Sequence, residues 1–192
     1  MRVAVDTSVL LYLIYPDASS PIDPSTGLPV THCQQRIQGL LDSFEDAGDV
    51  EVIVPTPVLS ELLIRVEEDH QSVISSLEGS TAVRIQEFDR KAAIENAMLR
   101  REAMKNGKKS RKKANAAQAD TGNSKKEVSF DLQVISIAKA MQVATLYSDD
   151  GEMRKLAQAA GIDVLGVADL AVPTHLLQVA LPLPAGDGQG GT

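Results

Sequence analysis

Short apolar segments alternate with longer segments of helical periodicity along most of this chain, and the alternation restricts the fold strongly. The strand-like segments lie at residues 2–5, 50–54, 81–86, 144–147 and 163–167. Apolar residues at helical spacing occupy most of the sequence between them. Strands that alternate with helices form parallel sheets covered by helices on both faces. The sequence therefore predicts an α/β fold with a central, mostly parallel sheet.

The chain of 192 residues is long enough for one domain with a proper core. We expect that domain over residues 1–172. A proline-rich loop insertion at 16–31 and a basic, flexible segment at 105–126 interrupt its regular pattern. The last residues, 173–192, are rich in glycine and proline, and we expect them to form a disordered tail.

Composition excludes several classes of protein. The single cysteine, Cys33, cannot form an internal disulfide or a cysteine zinc cluster. No apolar run approaches the roughly 20 residues of a membrane span, and Asp6 interrupts the N-terminal apolar stretch, which disfavours a secretory signal. The cytoplasm is the expected location. Aromatic residues make up 3% of the chain, so base stacking is not expected as the main binding device.

Charge is distributed unevenly along the chain. Residues 100–126 contain ten lysine and arginine residues and two acids, a net charge of +8, whereas the rest of the chain carries −15. A run of like charges is most often a solvated surface segment. It is also typical of a segment that contacts nucleic acid, because lysine and arginine bind phosphates.

Acidic residues occur where four separate elements should begin or end. Asp6 lies between the apolar runs 2–5 and 7–14, and the other three acids are Glu61, Asp131 and Asp150. Because the carboxyl ends of parallel strands meet at one edge of a sheet, Asp6 and Asp150 should lie at that edge. A charge between hydrophobic segments is unfavourable without a partner. If the four acids meet, a divalent metal ion is the natural partner.

Each acid also has an ordinary structural interpretation. Asp6 and Asp131 could begin helices, with their carboxylates near the N-terminal amides. Glu61 could form a surface ion pair with Arg65, four residues further along the same helix. Either acid of the pair 149–150 could cap the helix that follows. Only the occurrence of all four together favours a shared site.

Four motifs resemble those of the PIN-domain ribonucleases, and in particular the VapC-type toxins. They are the segments 3–8, 57–62, 131–138 and 146–153, in which the sequence reads VAVDTS, PVLSEL, DLQVISIA and LYSDDGEM. The resemblance extends from residue 1 to about residue 170. The insertion at 16–31, the basic segment and the tail lengthen this chain relative to the compact toxin pattern.

The resemblance implies a three-layer α/β/α sandwich whose acids bind Mg²⁺ or Mn²⁺ and hydrolyse RNA phosphodiester bonds. Asp6 matches the acid of the first strand, Glu61 that of the second motif and Asp131 that of the third. Asp150 matches the acid of the last turn, with Ser148 in place of threonine. A shift by one residue would make Asp149 the matching acid instead.

The physical chemistry of magnesium agrees with this residue set. Mg²⁺ prefers oxygen ligands and keeps several waters, and we expect Asp6, Asp131 and Asp150 to hold it. Side chains around these acids could orient them or a water; these are Thr7, Ser8, Ser148, Asp149 and Glu152. The three histidines, at positions 32, 70 and 175, lack the spacing of a zinc site.

The basic segment is the candidate RNA-binding element. We expect phosphate contacts from its lysine and arginine residues to offset repulsion between RNA and the acidic cleft. The candidates are Lys105, Lys108, Lys109, Arg111, Lys112 and Lys113.

The leading hypothesis is thus a metal-dependent endoribonuclease that acts either as a toxin bound by an antitoxin or as an RNA-processing enzyme. By analogy with the family, a homodimer is also expected. The alternative is a non-catalytic RNA- or protein-binding module with a PIN-like fold. A phosphatase of the haloacid dehalogenase kind needs a second aspartate two residues after the first, and Ser8 occupies that position.

Overall fold

The structure is a computed structural model and describes residues 1–15, 18–66, 70–113 and 127–177. Neighbouring strands are all parallel, and their order in the sheet is β3-β2-β1-β4-β5. The strands are β1 (Arg2–Val5), β2 (Glu51–Pro55), β3 (Val83–Gln86), β4 (Thr145–Tyr147) and β5 (Asp163–Leu165). Each lies within two residues of its predicted bounds, which confirms the predicted parallel sheet.

Helices connect the strands and cover the sheet. They are α1 (Thr7–Ile14), α2 (Cys33–Ala47), α3 (Thr56–Arg65), α4 (His70–Gly79), α5 (Arg90–Lys113), α6 (Glu127–Ala140), α7 (Gly151–Ala159) and α8 (Thr174–Leu177), with a 3-10 helix at Val167–Asp169. Crossovers between parallel strands are right-handed. The path β1-β2-β3 and the path β3-β4-β5 run in opposite directions across the sheet, so their helices cover opposite faces. The fold is the expected α/β/α sandwich.

Burial on both faces explains why apolar and polar residues do not alternate along the central strands. Val3, Ala4 and Val5 of β1 are at most 1% exposed, and the three apolar residues 52–54 of β2 are equally buried. A strand covered by helices on both sides needs apolar side chains in both directions. The core is therefore continuous through the sheet.

The strand order creates a crevice beside the central strand. From β1 the chain proceeds to β2 on one side, whereas from β4 it proceeds to β5 on the other. The two connections diverge outside the carboxyl ends of β1 and β4, and such a switch point is where open α/β sheets bind ligands. Asp6 follows β1 at this point, and residues 148–150 follow β4.

Two helices begin at residues of a type that often caps helices. Threonine is common at the N-cap position, but α1 begins at Thr7 and Asp6 occupies the N-cap position with extended backbone. Likewise α3 begins at Thr56 itself, with Pro55 at the N-cap position. In both cases at most one residue separates the strand from the helix. The N-cap position therefore falls on Asp6 or Pro55, directly at the end of the strand.

Other differences concern helix lengths. Apolar residues at helical spacing over 56–77 would allow one helix, but the structure has two, α3 and α4, because the backbone of Val66 is extended and Val66 packs into the core. Helix α6 begins at Glu127, four residues before Asp131, which lies within the helix rather than at its start. The basic segment begins inside α5, whose backbone is helical to Lys113, and residues 114–126 lie outside the described part.

The loop insertion has little regular structure over its described residues, 18–31, apart from an isolated antiparallel bridge between Ile22 and Pro29. The hydroxyl of Tyr12 donates a hydrogen bond to the carbonyl of Ser19 at 3.1 Å, which ties the start of this loop to α1. Within the tail, residues 174–177 form α8, and residues 178–192 lie outside the described part. No described helix combines the length and apolarity needed to cross a membrane.

Candidate functional site

Asp6 is the buried centre of the site. Its side chain is 6% exposed, and its Oδ2 accepts hydrogen bonds from the hydroxyls of Ser148 at 2.8 Å and Ser8 at 2.9 Å. Its backbone N–H donates to the carbonyl of Tyr147, which continues the β1–β4 pairing. Although Asp6 occupies the N-cap position of α1, its carboxylate does not cap that helix. The carboxylate does accept a hydrogen bond from the first amide of the helix, that of Thr7, so the helix-start interpretation of Asp6 is met in part.

The environment of Asp6 opposes its ionisation. Burial raises the pKa of the Asp6 carboxyl, and the negative charge of Glu61 adds to this effect. Hydrogen bonds from Ser148 and Ser8 and from the backbone of Thr7 act in the opposite direction and lower the pKa. Burial is the larger influence. An ionised Asp6 is thus unfavourable by itself and would be stabilised by a nearby cation.

Glu61 lies on α3 and is held at both carboxylate oxygens. Oε2 accepts a hydrogen bond from the hydroxyl of Thr7 at 3.0 Å, and Oε1 pairs with Nη2 of Arg65 at 2.7 Å. The ion pair predicted from the spacing of Glu61 and Arg65 is therefore present. Thr7, which is 2% exposed, also lies 3.5 Å from the carbonyl of Val58 and so connects α1 to α3.

Asp150 caps α7. Its Oδ1 accepts hydrogen bonds from the backbone N–H groups of Glu152 at 2.7 Å and Met153 at 2.8 Å. Its own N–H donates to the hydroxyl of Ser148 at 3.1 Å. The capping interpretation is confirmed for Asp150, and one of its two oxygens is engaged in this way. Glu152 forms an ion pair with Lys155 on the exposed side of α7.

Asp149 turns away from Asp150, towards the end of β5. Its Oδ1 accepts a hydrogen bond from the N–H of Val167 at 2.9 Å, whereas its buried Oδ2 has no hydrogen-bond partner among the described residues. Burial raises the pKa of the Asp149 carboxyl. Its backbone N–H donates to the hydroxyl of Ser8 at 3.1 Å. Asp149 thus fixes the β4–α7 turn against the 3-10 helix.

Asp131 lies in the second turn of α6, and a polar cluster fastens this turn to α5. Nδ2 of Asn96 donates to the carbonyl of Leu132 and to the hydroxyl of Ser136, both at 3.1 Å. Arg100 donates to Oδ1 of Asn96 at 2.7 Å and to the hydroxyl of Ser129 at 2.6 Å. The position of Asp131 therefore depends on α5, which includes residues 105–113 of the basic segment.

A cleft of about 830 Å³ brings the four predicted acids together. Its described walls include Asp6, Glu61, Asp131 and Asp150, along with Thr7, Ser8 and Glu152. Ser148 and Asp149 do not line it; Ser148 reaches it indirectly, through its hydrogen bond to Asp6. Residues far apart in sequence thus face one space at the switch point of the sheet.

The cleft has walls that the sequence did not reveal. Leu11, Tyr12, Ile64 and Phe130 add apolar surface, and Arg65 adds a positive charge. The sequence pattern placed Leu11 and Tyr12 in the apolar run 7–14 and identified Arg65 as a surface partner of Glu61, but it gave no role to Ile64 or Phe130. Burial raises the pKa of Tyr12 to about 12, so its hydroxyl stays protonated at neutral pH.

The donor chemistry of the cleft fits a hard divalent cation better than zinc. Its acids supply only carboxylate oxygens, which Mg²⁺ and Mn²⁺ accept. Within the described ranges, however, no three histidine, cysteine or acidic side chains approach closely enough to form a ready metal cluster. Magnesium keeps several of its waters, so carboxylates can also hold it through water. The residue types therefore fit Mg²⁺ or Mn²⁺, and such a cation would stabilise the ionised form of the buried Asp6 carboxyl.

The six candidate RNA-binding residues of the basic segment, Lys105 to Lys113, belong to the last turns of α5. Their side chains lie outside the described part of the structure, so their phosphate contacts stay a prediction.

Comparison with known proteins agrees with the fold. A model of the PIN domain matches residues 4–168. No curated protein sequence matches the chain. Similar solved structures include VapBC2 of Rickettsia felis bound to a DNA fragment from its promoter, at 15% identity and a TM-score of 0.52, covering 86% of this chain and 98% of that one.

Two further structures give the same result. DNA-bound VapBC of Salmonella typhimurium is 14% identical with a TM-score of 0.53, and VapBC-1 of nontypeable Haemophilus influenzae is 10% identical with a TM-score of 0.53. Each alignment covers 87% of this chain and 98% of the other. At these identities the likeness concerns the fold. Because the family model spans most of the chain and the fold agrees with it, this chain belongs to the PIN-domain family of nucleases.

Proposed function

We propose that the chain is an endoribonuclease that hydrolyses RNA phosphodiester bonds with the help of Mg²⁺ or Mn²⁺. The observation that carries this proposal is the cleft itself: acids from four separate elements line it, and one of them, Asp6, is buried and resists ionisation. Carboxylates gathered in one cleft with a shifted pKa are typical of functional sites.

Each acid has a role that its surroundings support. Asp6, Asp131 and Asp150 would hold the ion, with Ser8 and Ser148 orienting the carboxylate of Asp6. Glu61, fixed by Thr7, would act beside them as the fourth catalytic acid. When bound, a divalent ion lowers the pKa of a water for attack on the phosphorus and neutralises charge on the phosphate. The family resemblance implies 5′-phosphate and 3′-hydroxyl products.

A cleavage assay tests this function. Purified chain and its Asp6→Asn variant are incubated with single-stranded RNA in Mg²⁺, Mn²⁺ or EDTA. We expect metal-stimulated cleavage by the wild type, none in EDTA, and a loss of at least about 100-fold in Asp6→Asn, because removal of one essential electrostatic group costs that much in other enzymes. Circular dichroism and thermal melting check that the variant is folded. Equal cleavage by a folded Asp6→Asn protein would contradict the proposed site.

A non-catalytic RNA-binding module is the second candidate. Two observations favour it: no three metal-binding side chains converge within the described ranges, and both oxygens of Glu61 are engaged by Thr7 and Arg65. The same assay separates the two, since a binding module would retain RNA without metal-stimulated turnover.

We further propose that the chain works in the cytoplasm, as a homodimer, and as the toxin of a toxin–antitoxin pair. The fold shared with the VapBC structures from Rickettsia felis and Salmonella typhimurium supports the toxin assignment, whereas the cytoplasm and the homodimer are proposed by analogy with the family. Expression of the chain alone should then arrest growth, and co-expression of a small protein encoded next to it should restore growth. Growth without arrest, together with RNA cleavage in vitro, would favour an RNA-processing enzyme.

A further inference from the structure

One described residue among those that line the cleft carries a positive charge, and it is Arg65. It lies at the end of α3, one turn after Glu61. Its backbone carbonyl accepts a hydrogen bond from the hydroxyl of Tyr15 at 3.0 Å, which ties the end of this helix to the residue that follows α1. The backbone of Arg65 is therefore fixed, and its side chain lines a cleft whose other charged residues are all acids among those described.

We propose that Arg65 binds a backbone phosphate of the RNA strand in the cleft and exchanges its ion pair with Glu61 for this contact. The inference rests on the proposed function, in that RNA must enter the cleft. A guanidinium group has five N–H donors arranged in a fork that matches a phosphate. In the structure Nη2 of Arg65 contacts Oε1 of Glu61, and among the described residues this is the one side-chain contact of the fork, so its other donors can meet a phosphate before the ion pair opens.

The exchange is physically easy because the ion pair is exposed. The side chains of Arg65 and Glu61 are 53% and 34% exposed, and ion pairs with this degree of solvent access contribute little net stability. A phosphate oxygen can therefore compete for the guanidinium group.

Glu61 would keep its position during this exchange. Its other oxygen, Oε2, is held by the hydroxyl of Thr7, a buried side chain on a different helix. Arg65 can thus turn to the RNA without releasing Glu61 from the cleft. The arrangement lets a strongly acidic cleft retain its carboxylates and still offer one cation to an anionic strand.

Binding measurements on an inactive parent test the inference. The Asp6→Asn protein is titrated into a fluorescein-labelled single-stranded RNA at several KCl concentrations, and fluorescence anisotropy gives Kd. We expect Arg65→Ala in this background to weaken binding about tenfold, as loss of a charged hydrogen bond does. The slope of log Kd against log salt should fall by about 0.7, the value for one phosphate contact on a single strand.

Arg84 is a matched control. It is also an arginine paired with a glutamate, Glu51, its side chain is 52% exposed, and it does not line the cleft. Arg84→Ala should leave both Kd and the salt slope unchanged. If Arg65→Ala and Arg84→Ala behave alike, the inference is overturned.

A second variant separates phosphate binding from support of Glu61. If Arg65 acts only by holding Glu61, then Arg65→Ala should have no further effect once Glu61 is replaced by glutamine. If it binds phosphate, Arg65→Ala should weaken RNA binding by a similar factor in the Glu61→Gln background. Loss of the effect in that background would overturn the inference.

The test also distinguishes this inference from the proposed catalysis. A wild-type protein that cleaves no RNA, with an Arg65-dependent salt slope, would refute the nuclease activity and retain the phosphate contact. Cleavage by the wild type, with a salt slope that does not depend on Arg65, would refute the phosphate contact alone.

Discussion

The hydroxyl of Ser148 donates a hydrogen bond to Oδ2 of Asp6 at 2.8 Å, although 142 positions separate the two residues. The contact is buried, and the same hydroxyl accepts the N–H of Asp150. It exists because β4 pairs directly with β1, with Tyr147 opposite Val5. One serine thus links the first of the four predicted site acids, Asp6, to the last of them, Asp150.

Asp6→Asn should raise thermal stability in metal-free buffer. Burial raises the pKa of Asp6 above its usual value of 3.8. A raised pKa contributes stability that is fully present below the unfolded value and is lost as pH rises through the folded value. Asparagine does not titrate. The gain in Tm should therefore be present at pH 7 and shrink towards zero near pH 4, with each kcal/mol gained raising Tm by about 2 to 4 °C.

Asp163→Asn, at an exposed position of β5, serves as the control and should not change Tm at either pH. A stability difference for Asp6→Asn that does not depend on pH would show that burial of its charge is not the cause. Added Mg²⁺ should make the Tm of the wild type higher than that of Asp6→Asn, since the Asp6 carboxylate would then have a cation as its partner.

Thr7→Val should weaken the support of Glu61. Valine has nearly the same shape but lacks the hydroxyl that donates to Oε2 of Glu61 at 3.0 Å. We expect unfolding free energy to fall by about 1 kcal/mol, the usual net value of one hydrogen bond. RNA cleavage should fall about tenfold, because Glu61 would then be held from one side only. Chemical denaturation and initial cleavage rates measure the two effects.

Thr7→Ser retains the hydroxyl and is the paired control, so it should keep most of the activity. If Thr7→Val and Thr7→Ser cleave RNA equally well, the hydroxyl does not position Glu61.

Gly166→Ala should destabilise the turn behind the site. A Cβ at Gly166 would lie 2.6 Å from Oδ1 of Asp149 and 2.9 Å from Nη2 of Arg154. Overpacking of this kind costs about 1 to 3 kcal/mol. Denaturant unfolding should show the loss, and the added substitution Asp149→Ala should recover part of it by removing the nearer contact.

Gly151→Ala tests whether glycine replacement itself is harmful in this region. A Cβ at Gly151 would meet nothing within 4 Å, and the residue is helical, so stability should stay equal or rise slightly. Equal stability of Gly166→Ala and the wild type would mean that Asp149 and Arg154 can move aside without cost.

The sequence predicted the sheet well, because its signals are local. Strands such as 2–5 and 50–54 are short apolar runs, and burial on both faces requires this pattern. Helix boundaries were less predictable where tertiary packing decides them. Val66 interrupts a continuous helical pattern because its side chain packs into the core, and α6 starts before Asp131.

Of the candidate site, the four acids could be predicted because charged residues beside apolar runs are conspicuous. The orientation of their side chains could not. Whether Asp149 or Asp150 faces the cleft depends on Val167, whose N–H holds Asp149 away from it. The place of Arg65 in the cleft was also hidden, since its spacing from Glu61 indicates an ion pair but not the space that the pair faces.

Strand β1 lies in the middle of the sheet, although it is made first. One of its neighbours, β4, comprises residues 145–147 and is synthesised much later. The carboxylate of Asp6 can accept its hydrogen bond from Ser148 only after that residue has been added. The cleft therefore cannot close around Asp6 until the chain has been synthesised through Ser148, so its formation depends on a contact between residues distant in sequence.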